Sequence, residues 1–395
     1  MTFTKKTIRD IPLEGKTILV RVDYNVPLGS DRILDDTRIQ ASIPTIRYLL
    51  NHQTKIILIS HLGRPLKTDK KNVSLKLMAW RLARLLGHPV NFVPECIGKV
   101  VYEEINKMGF GEIALLENLR FHTEEEDNNL FFAKELASLA DIFVLDAFGV
   151  AHRDHSSIVG IPKFLPTVTG FLMEKEITML NQILNTPQKP FVLVVGGAKV
   201  KEKIGLLNNL MDKIDTLLIG GGMANTFLKC QGLQIGKSLV EEDKIDVASQ
   251  LLQHAKDNNT KVILPIDVAV AKSVSPDAQR EEKSVNDVAE DDIILDVGSK
   301  TIELFKQEIQ NAKTVFWNGT LGMTELSAFE IGSKAIANTL AESDALRVVG
   351  GGDTAGALYK FGLSDAMTHV STGGGASLKF LEGKNLVGID VIEDK

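Results

Sequence analysis

The sequence predicts an α/β protein of two three-layer (αβα) domains with mainly parallel sheets, joined by a linker helix. Three observations carry this expectation. At 395 residues the chain exceeds what one ordinary core holds, so two domains are the starting point. Short β-rich apolar runs alternate with segments of helical periodicity, the pattern of parallel sheets covered on both faces. Finally, one amphipathic segment stands between two sets of such runs.

The first set comprises TILVRV (17–22), KIILIS (55–60), EIALLENL (112–119) and DIFVLDAF (141–148). The second comprises PFVLVV (190–195), DTLLIG (215–220), KVILPI (261–266), TVFWNG (314–319), LRVVGG (346–351) and THVSTG (368–373). Between them, Gly170 to Thr186 places Met173, Ile177, Leu180 and Leu184 at helical spacing and stops before Pro187 and Pro190. It reads as the connector, residues 171–188; the alternative is a covering helix of one large domain. The expected domains are therefore 1–170 and 189–385, each Rossmann-like. The hydrophilic stretch from Lys272 to Asp292 reads as a surface excursion.

Composition narrows the function. The chain is 44% apolar and 24% charged with a net charge of −6, which argues against nucleic acid held by general electrostatics. Its two cysteines, Cys96 and Cys230, lie far apart, which favours a reducing compartment. No run approaches ~18 apolar residues and the N-terminus lacks a signal-like apolar core. A cytoplasmic protein without a membrane partner is expected.

In open parallel sheets, ligands bind beyond the carboxyl ends of the strands. The first half delivers an unusual set of groups there. In RVDYN, period-two alternation puts Arg21, Asp23 and Asn25 on one face and Val20 and Val22 on the other. His61, Gly63 and Arg64 follow KIILIS; Asn118 and Arg120 alternate near the end of IALLENLRF; His152 and Arg153 follow VLDAFGVA. Arg38 lies in DDTRIQ, which opens a helix. Any one of these alone reads as a surface Arg or a satisfied His. Together they call for an anion, because Arg cannot shed its charge and its planar fork suits carboxylate and phosphate. The reading is a pocket for a small phosphorylated, carboxylated metabolite.

The second half carries four Gly-rich turns after strands: VVGGAKVKEK, LLIGGGMANT, VVGGGDTAG and HVSTGGGAS. Such turns let backbone N–H groups crowd around a phosphate, although tight strand-to-helix turns need glycine anyway. Lys199 is expected in the first turn of the helix after GGA, where the macrodipole disfavours a cation unless an anion sits there. Lys203, four residues on, then shares its helix face, while Lys201 points to solvent; a solvated KVKEK face is the alternative. No G-x-x-x-x-G-K-[ST] motif occurs. Gly350-GGDT-Ala355 fits the G-x-G-x-x-A form of a dinucleotide fingerprint, but it lies near the end of the chain and lacks an acid about twenty residues on. Asp353 reads either as a helix N-cap or as a carboxylate holding Mg²⁺ beside phosphates.

Taken in order, the motifs RVDYNVP, SHLGRP, ENLRFH, DAFGVAHR, GFLMEKE, GGAKVKEKIGLL, GGGMANTFL, WNG, GGGDTA and HVSTGGGASLKFLEG resemble the phosphoglycerate kinase family over essentially the whole chain. The resemblance implies an N-terminal domain binding 3-phosphoglycerate or 1,3-bisphosphoglycerate and a C-terminal domain binding Mg-ADP or Mg-ATP across a hinge cleft. By motif, Asp23, Asn25, Arg38, His61, Gly63, Arg64, Arg120 and Arg153 would hold the glycerate and its phosphate. Lys199, Lys203, Gly220, Gly221, Asn318, Glu325, Gly351, Gly352, Asp353, Thr354, Gly373 and Gly374 would hold the nucleotide, with Glu325 on the ribose and Asp353 on Mg²⁺. The last residues, Leu386–Lys395, would belong with the N-terminal domain. Val150 stands where the family commonly has Thr, Ser299 and Thr320 where Pro is common, and Ile294 where Gly is common near the adenine cleft.

The implied chemistry needs no general base, because the acceptor is a carboxylate already ionised at neutral pH. In-line placement and charge neutralisation remain, for which Arg38, Lys199 and the backbone N–H groups of Gly352, Gly373 and Gly374 are the expected groups. Hinge closure about Gly170–Phe171 and Pro187–Pro190 and a monomeric state are also expected. Competing readings are a nicotinamide-dependent dehydrogenase and a non-catalytic two-domain metabolite-binding protein.

Overall fold

The computed structural model describes residues 3–29, 32–65 and 73–395. The chain divides into two compact units: one runs to Thr178 and takes in Asn385–Lys395, and the other is Met179–Lys384.

In the first unit, β1 (Thr17–Val22), α1 (Thr37–Asn51), β2 (Lys55–Ile59), α2 (Lys76–Leu86), β3 (Asn91–Val93), α3 (Lys99–Lys107), β4 (Ile113–Leu116), α4 (Leu130–Ala137), β5 (Ile142–Asp146) and β6 (Thr167–Thr169) alternate strand and helix. The strands form one parallel sheet in the order β3-β4-β2-β1-β5-β6. Its β-branched strands are buried on both faces, as a sheet covered on both sides requires. On one face Ile18, Val20, Ile56 and Leu58 pack with Ile39, Ile46 and Leu49 of α1 and with Met78 and Leu82 of α2. On the other, Leu19, Ile57, Phe143 and Leu145 are equally buried. The strand order reverses beside β1, whose neighbours are β2 and β5, so the switch point lies between β1 and β5.

The next helix, α5 (Phe171–Asn185), is the predicted connector, and the division between the units falls inside it. Met173, Ile177 and Leu180 are buried as its periodicity requires, and Ile183 is buried where Leu184 was expected. Asp146, at the end of β5 and fully buried, caps its first turn by accepting the Met173 N–H at 3.0 Å. Burial pushes the Asp146 carboxyl up to about 6, against the pull of the Thr45 hydroxyl and the Met173 and Leu172 amides. Because this value is higher in the folded than in the unfolded chain, the folded state binds the proton more tightly. The charged form therefore destabilises the fold above about pH 6, and stability is regained as pH falls from there toward 4. Asp146→Asn is expected to remove this contribution. Denaturation curves should show the wild type gaining on the variant by on the order of 2 kcal/mol between pH 7.5 and 4.5.

The second unit opens with β7 (Phe191–Val195), α6 (Ile204–Leu210), β8 (Thr216–Ile219), α7 (Gly221–Cys230), α8 (Ile245–Asp257) and β9 (Lys261–Ile263). After β10 (Asp267–Ala271), β11 (Glu281–Ser284) and β12 (Ile293–Val297) come α9 (Ser299–Gln310), β13 (Thr314–Asn318), α10 (Ile331–Glu342), β14 (Leu346–Gly350), α11 (Gly352–Phe361), β15 (His369–Val370) and α12 (Gly375–Leu381). A parallel sheet runs β15-β14-β13-β7-β8-β9, and its switch point lies between β13 and β7. The remaining strands form an antiparallel sheet β11-β10-β12, which the sequence reading did not foresee. β11 lies inside the stretch read as a surface excursion; EEKS is hydrophilic because it pairs along one edge only. The last helix, α13 (Val387–Asp390), belongs to the first unit, where Gly388 N–H bonds Ala151 O at 2.8 Å. Among the described residues, no helix is long and apolar enough to cross a membrane.

Candidate active site

In the first unit most of the predicted residues follow the carboxyl ends of β4, β2, β1 and β5, which are neighbours in the sheet. β1 ends at Val22, so Asp23 and Asn25 lie in the following coil and do not continue the strand face as expected. Arg38, the second residue of α1, donates from Nη1 to Asp23 Oδ2 at 3.0 Å and to the Asn25 carbonyl at 3.1 Å. Asn25 Oδ1 accepts the Gly63 N–H at 2.9 Å, and Arg120 Nη1 donates to the Gly63 carbonyl at 2.5 Å. Arg120 sits on a 3-10 turn, Leu119–Phe121, that leaves the strand direction, and so does not alternate with Asn118 along a strand. Asn118 is fully buried and spends its amide on Leu62, Val73 and Arg120 backbone, which makes it a structural residue.

The charges of these groups bear on one another. His61 is 2% exposed, and burial holds its pKa well below the ordinary imidazole value. The charges of Arg21, Arg120, Arg153 and Arg38 push it the same way. Those of Arg153 and Arg64 likewise lower the pKa of Arg120, after burial. Glu126 pairs with Arg120 Nε at 2.9 Å and Asp23 with Arg38 at 3.0 Å; guanidinium groups in excess of such pairs are costly at one sheet edge unless an anion joins them. Arg120 Nη2 and Arg153 Nε are buried donors without a partner among the described residues. Unpaired buried donors of this kind mark a place where a ligand oxygen completes the bonding.

The second unit has a cavity of about 530 Å³ at its own switch point. Gly197 and Ala198 after β7 and Thr320 and Leu321 after β13 line it, as do Gly221, Leu239, Pro265, Ile294, Met323, Glu325 and Asp353. An apolar slot of this size with a few polar groups suits a planar base with its sugar. Ile294 and Thr320, two of the departures noted in the sequence, line the slot, whereas Ser299 opens α9 and does not. Asn225 was missed by sequence reasoning. It is 1% exposed and lines the cavity with an Oδ1 that has no partner among the described residues, yet within GGGMANT nothing distinguishes it from a core amide.

Beside the cavity lies a polar end. Asp353, in the first turn of α11, lines the slot, and its charge raises the pKa of Lys203, which burial lowers. Lys203 Nζ donates to Asn318 Oδ1, while Asn318 Nδ2 is buried without a partner among the described residues. Thr354 Oγ1 accepts the Gly319 N–H at 2.7 Å, tying α11 to the end of β13. Ser371 N–H bonds Val349 O, which sets the Gly373–Gly374 turn beside Gly351–Gly352 at the ends of neighbouring strands. Two expectations about the lysines are corrected. Lys199 is extended (φ −131°, ψ 131°), exposed, and precedes a 3-10 turn over Val200–Glu202; it is not in a helical first turn. Lys203 is the N-cap of α6, so the two share no helix face.

The glycine turns are of two kinds. A Cβ on Gly196 would lie 2.2 Å from Thr320 O, one on Gly319 2.2 Å from Gly196 O, and one on Gly221 2.6 Å from Gly197 N. These turns interlock backbone to backbone, and that packing alone demands glycine. Gly220 and Gly221 donate their N–H groups to Val195 O and Leu321 O, and Gly373 donates to Ser371 Oγ. None of these three N–H groups is a free phosphate donor, which corrects the expectation for Gly373. A Cβ on Gly352 or Gly374, in contrast, would meet nothing within 4 Å. They leave open the first turns of α11 and α12, where helix N–H groups have no intrahelical acceptor.

Among the described residues, Glu95, Cys96 and His122 bring three donor atoms within 4.8 Å. His122 is paired to Glu95 at 2.6 Å and Cys96 Sγ donates to Glu117 O at 3.0 Å. A thiol is the wrong donor for Mg²⁺, whereas the Asp353 carboxylate is a suitable hard oxygen ligand.

Fold and sites define an α/β protein with two doubly wound sheets, one edged with arginine and the other holding an apolar slot beside helix N-termini. Residues 8–384 match the family model "Phosphoglycerate kinase". The phosphoglycerate kinase of Dictyoglomus turgidum is 51% identical over 395 residues, covering 99% of this chain and all of that protein. The one from Pelotomaculum thermopropionicum is 48% identical, with 99% and 100% covered. Solved structures of phosphoglycerate kinase from Coxiella burnetii (TM-score 0.87, 40% identity) and Pyrococcus horikoshii OT3 (0.84, 31%) each cover 98% of both chains. The chain belongs to the phosphoglycerate kinase family, and its activity is that of a kinase, a transferase with a carboxyl group as acceptor.

Proposed function

We propose that the chain transfers a phosphoryl group reversibly between 1,3-bisphosphoglycerate and ADP, giving 3-phosphoglycerate and ATP, as a monomer in the cytoplasm. The observation that carries the assignment of sites is the set of guanidinium groups around neutral His61, two of them with unpartnered buried N–H donors. Asp23, Asn25, Arg38, His61, Gly63, Arg64, Arg120 and Arg153 hold the phosphorylated acid. The slot of the second unit takes the base and Glu325 the ribose, while Lys203, Asn318, Gly351, Gly352, Thr354 and Gly374 form the phosphate end. Asp353 would hold Mg²⁺, which when bound spreads charge over the nucleotide phosphates.

Each residue role follows from charge. The attacking group is a carboxylate, so proton removal is not the problem; repulsion between anions is. Arg38 offsets charge on the acid and Lys199 on the transferring phosphoryl group. Glycines 352 and 374 leave room for phosphate oxygens to approach backbone N–H groups. Transfer between ligands on different units entails that the units bring those ligands together in turnover, with a hinge at the ends of α5.

Asp353→Asn keeps the shape of the side chain and removes its charge. The variant is expected to fold normally, to lose about 10²-fold or more in turnover, and to need a markedly higher Mg²⁺ concentration for half-maximal rate. An unchanged Mg²⁺ dependence would remove Asp353 from the metal site.

A further inference from the structure

Behind His61 lies a buried chain of polar groups. Arg21 is 1% exposed. Its Nε donates to Ser157 Oγ at 2.9 Å, its Nη1 to the Val22 carbonyl, and its Nη2 stands 3.1 Å from His61 Nδ1. The Ser157 hydroxyl donates in turn to Glu125 Oε1 at 2.5 Å, and the Ser157 N–H to Glu125 Oε2 at 2.9 Å. Glu125 is fully buried.

A guanidinium has only donors and stays charged, so the His61 atom facing Arg21 must be an acceptor. His61 Nδ1 therefore carries a lone pair and the ring proton sits on Nε2. Protonating Nδ1 would set an N–H against an N–H inside the protein. We propose that Arg21, held by Glu125 through Ser157, is a positioning residue that fixes His61 as the neutral Nε2–H tautomer. His61 then serves the phosphorylated acid as a single hydrogen-bond donor, and the arginines supply the positive charge. This role rests on the assignment of the acid to the first unit.

The surroundings agree. Of the charged groups bearing on His61, Arg21 comes from β1, Arg38 from α1, Arg120 from the turn after β4 and Arg153 from the segment after β5. A facing carboxylate, Asp23, has its Oδ1 3.9 Å from Nδ1 and its Oδ2 on Arg38. Glu125 also faces His155, whose Nδ1 is 3.8 Å from Oε1. Burial lowers the Arg21 pKa, Glu125 and Asp23 act to raise it, and Arg120 and Arg153 to lower it; a guanidinium stays charged throughout.

The test is a two-bond ¹H–¹⁵N histidine spectrum of the full chain without ligand, recorded from pH 8 to pH 5.5. His61 should show an unprotonated Nδ1 and a protonated Nε2 throughout. In Arg21→Met, the ring should mix tautomers, with Nδ1–H gaining population, while burial, Arg120, Arg153 and Arg38 still hold its pKa below the ordinary imidazole value. Its dissociation constant for 3-phosphoglycerate should be severalfold higher than that of the wild type across this range, because part of the population no longer offers Nε2–H. The ligand's own phosphate titrates near pH 6 in both proteins, so the ratio between them is what is read. His61→Gln, which still offers an N–H, should bind within about fivefold of the wild type, and His61→Ala about tenfold or more weaker. If Arg21→Met does not fold, Ser157→Ala cuts the same chain with a smaller change. A wild-type spectrum showing Nδ1–H or a charged ring at pH 7 would overturn the proposal. So would a variant spectrum and affinity identical to those of the wild type. The spectrum needs no ligand, so its outcome stands apart from whether 3-phosphoglycerate binds at all.

Discussion

Lys199→Ala is expected to lower turnover by about 10²–10⁴-fold while the melting temperature stays within a few degrees of the wild type. Lys199 is exposed and extended, and its ammonium makes no ion pair or hydrogen bond among the described residues, so the fold does not depend on it. A cation kept without a protein partner beside two glycine turns is available for a ligand anion, which in this reading is the transferring phosphoryl group. Arg38→Ala should cost turnover on the same scale, with a difference in stability. Arg38 already holds Asp23, which is 5% exposed, so its removal leaves a buried carboxylate short of a donor at a cost of about 1–2 kcal/mol. Near-normal steady-state rates in both variants would sink these roles.

Gly319→Ala is the substitution expected to damage the fold most. Gly319 has φ +97°, and its Cβ would lie 2.2 Å from Gly196 O and 2.3 Å from Gly196 C. Backbone cannot give way as a flexible side chain can, so the β7 and β13 turns must part. A loss of about 3–5 kcal/mol is expected, a large share of the 5–15 kcal/mol typical of folded domains. Gly352→Ala is the matched control. Its Cβ meets nothing within 4 Å, so stability should hold within about 1 kcal/mol while turnover falls, because the methyl enters space assigned to phosphate. Equilibrium denaturation of the two variants separates the packing glycines from the open ones. Gly319→Ala remaining within 1 kcal/mol of the wild type would contradict the distinction.

That distinction shows where sequence reading reaches its end. GGA, GGGM, GGGD and TGGG look alike as text, yet two interlock with neighbouring backbone and two open onto space. Only three-dimensional proximity tells them apart. GGGDTA does join a strand to a helix, as a dinucleotide turn would, but β14 is next to the sheet edge and away from the switch point. Strands with long β-branched runs were legible: TILVRV is β1 residue for residue. NFV and TVT, three residues each, carry no period to read and were missed as β3 and β6. The charged candidates stood out in the sequence because arginine at a strand end has few other reasons to be there. Arg21 stood in the same motif, but sequence does not reveal that its guanidinium turns inward to His61, because that depends on Ser157 and Glu125 far along the chain. The placement of Lys199 failed for a local reason: a 3-10 turn precedes α6, and the KVKEK spacing looks the same either way.

The most direct measurement mixes the purified protein with Mg-ATP and follows ADP release with and without 3-phosphoglycerate. The account predicts release that depends on 3-phosphoglycerate, saturates with it, and falls by orders of magnitude in Lys199→Ala. ADP release that is absent, or indifferent to 3-phosphoglycerate, would contradict it.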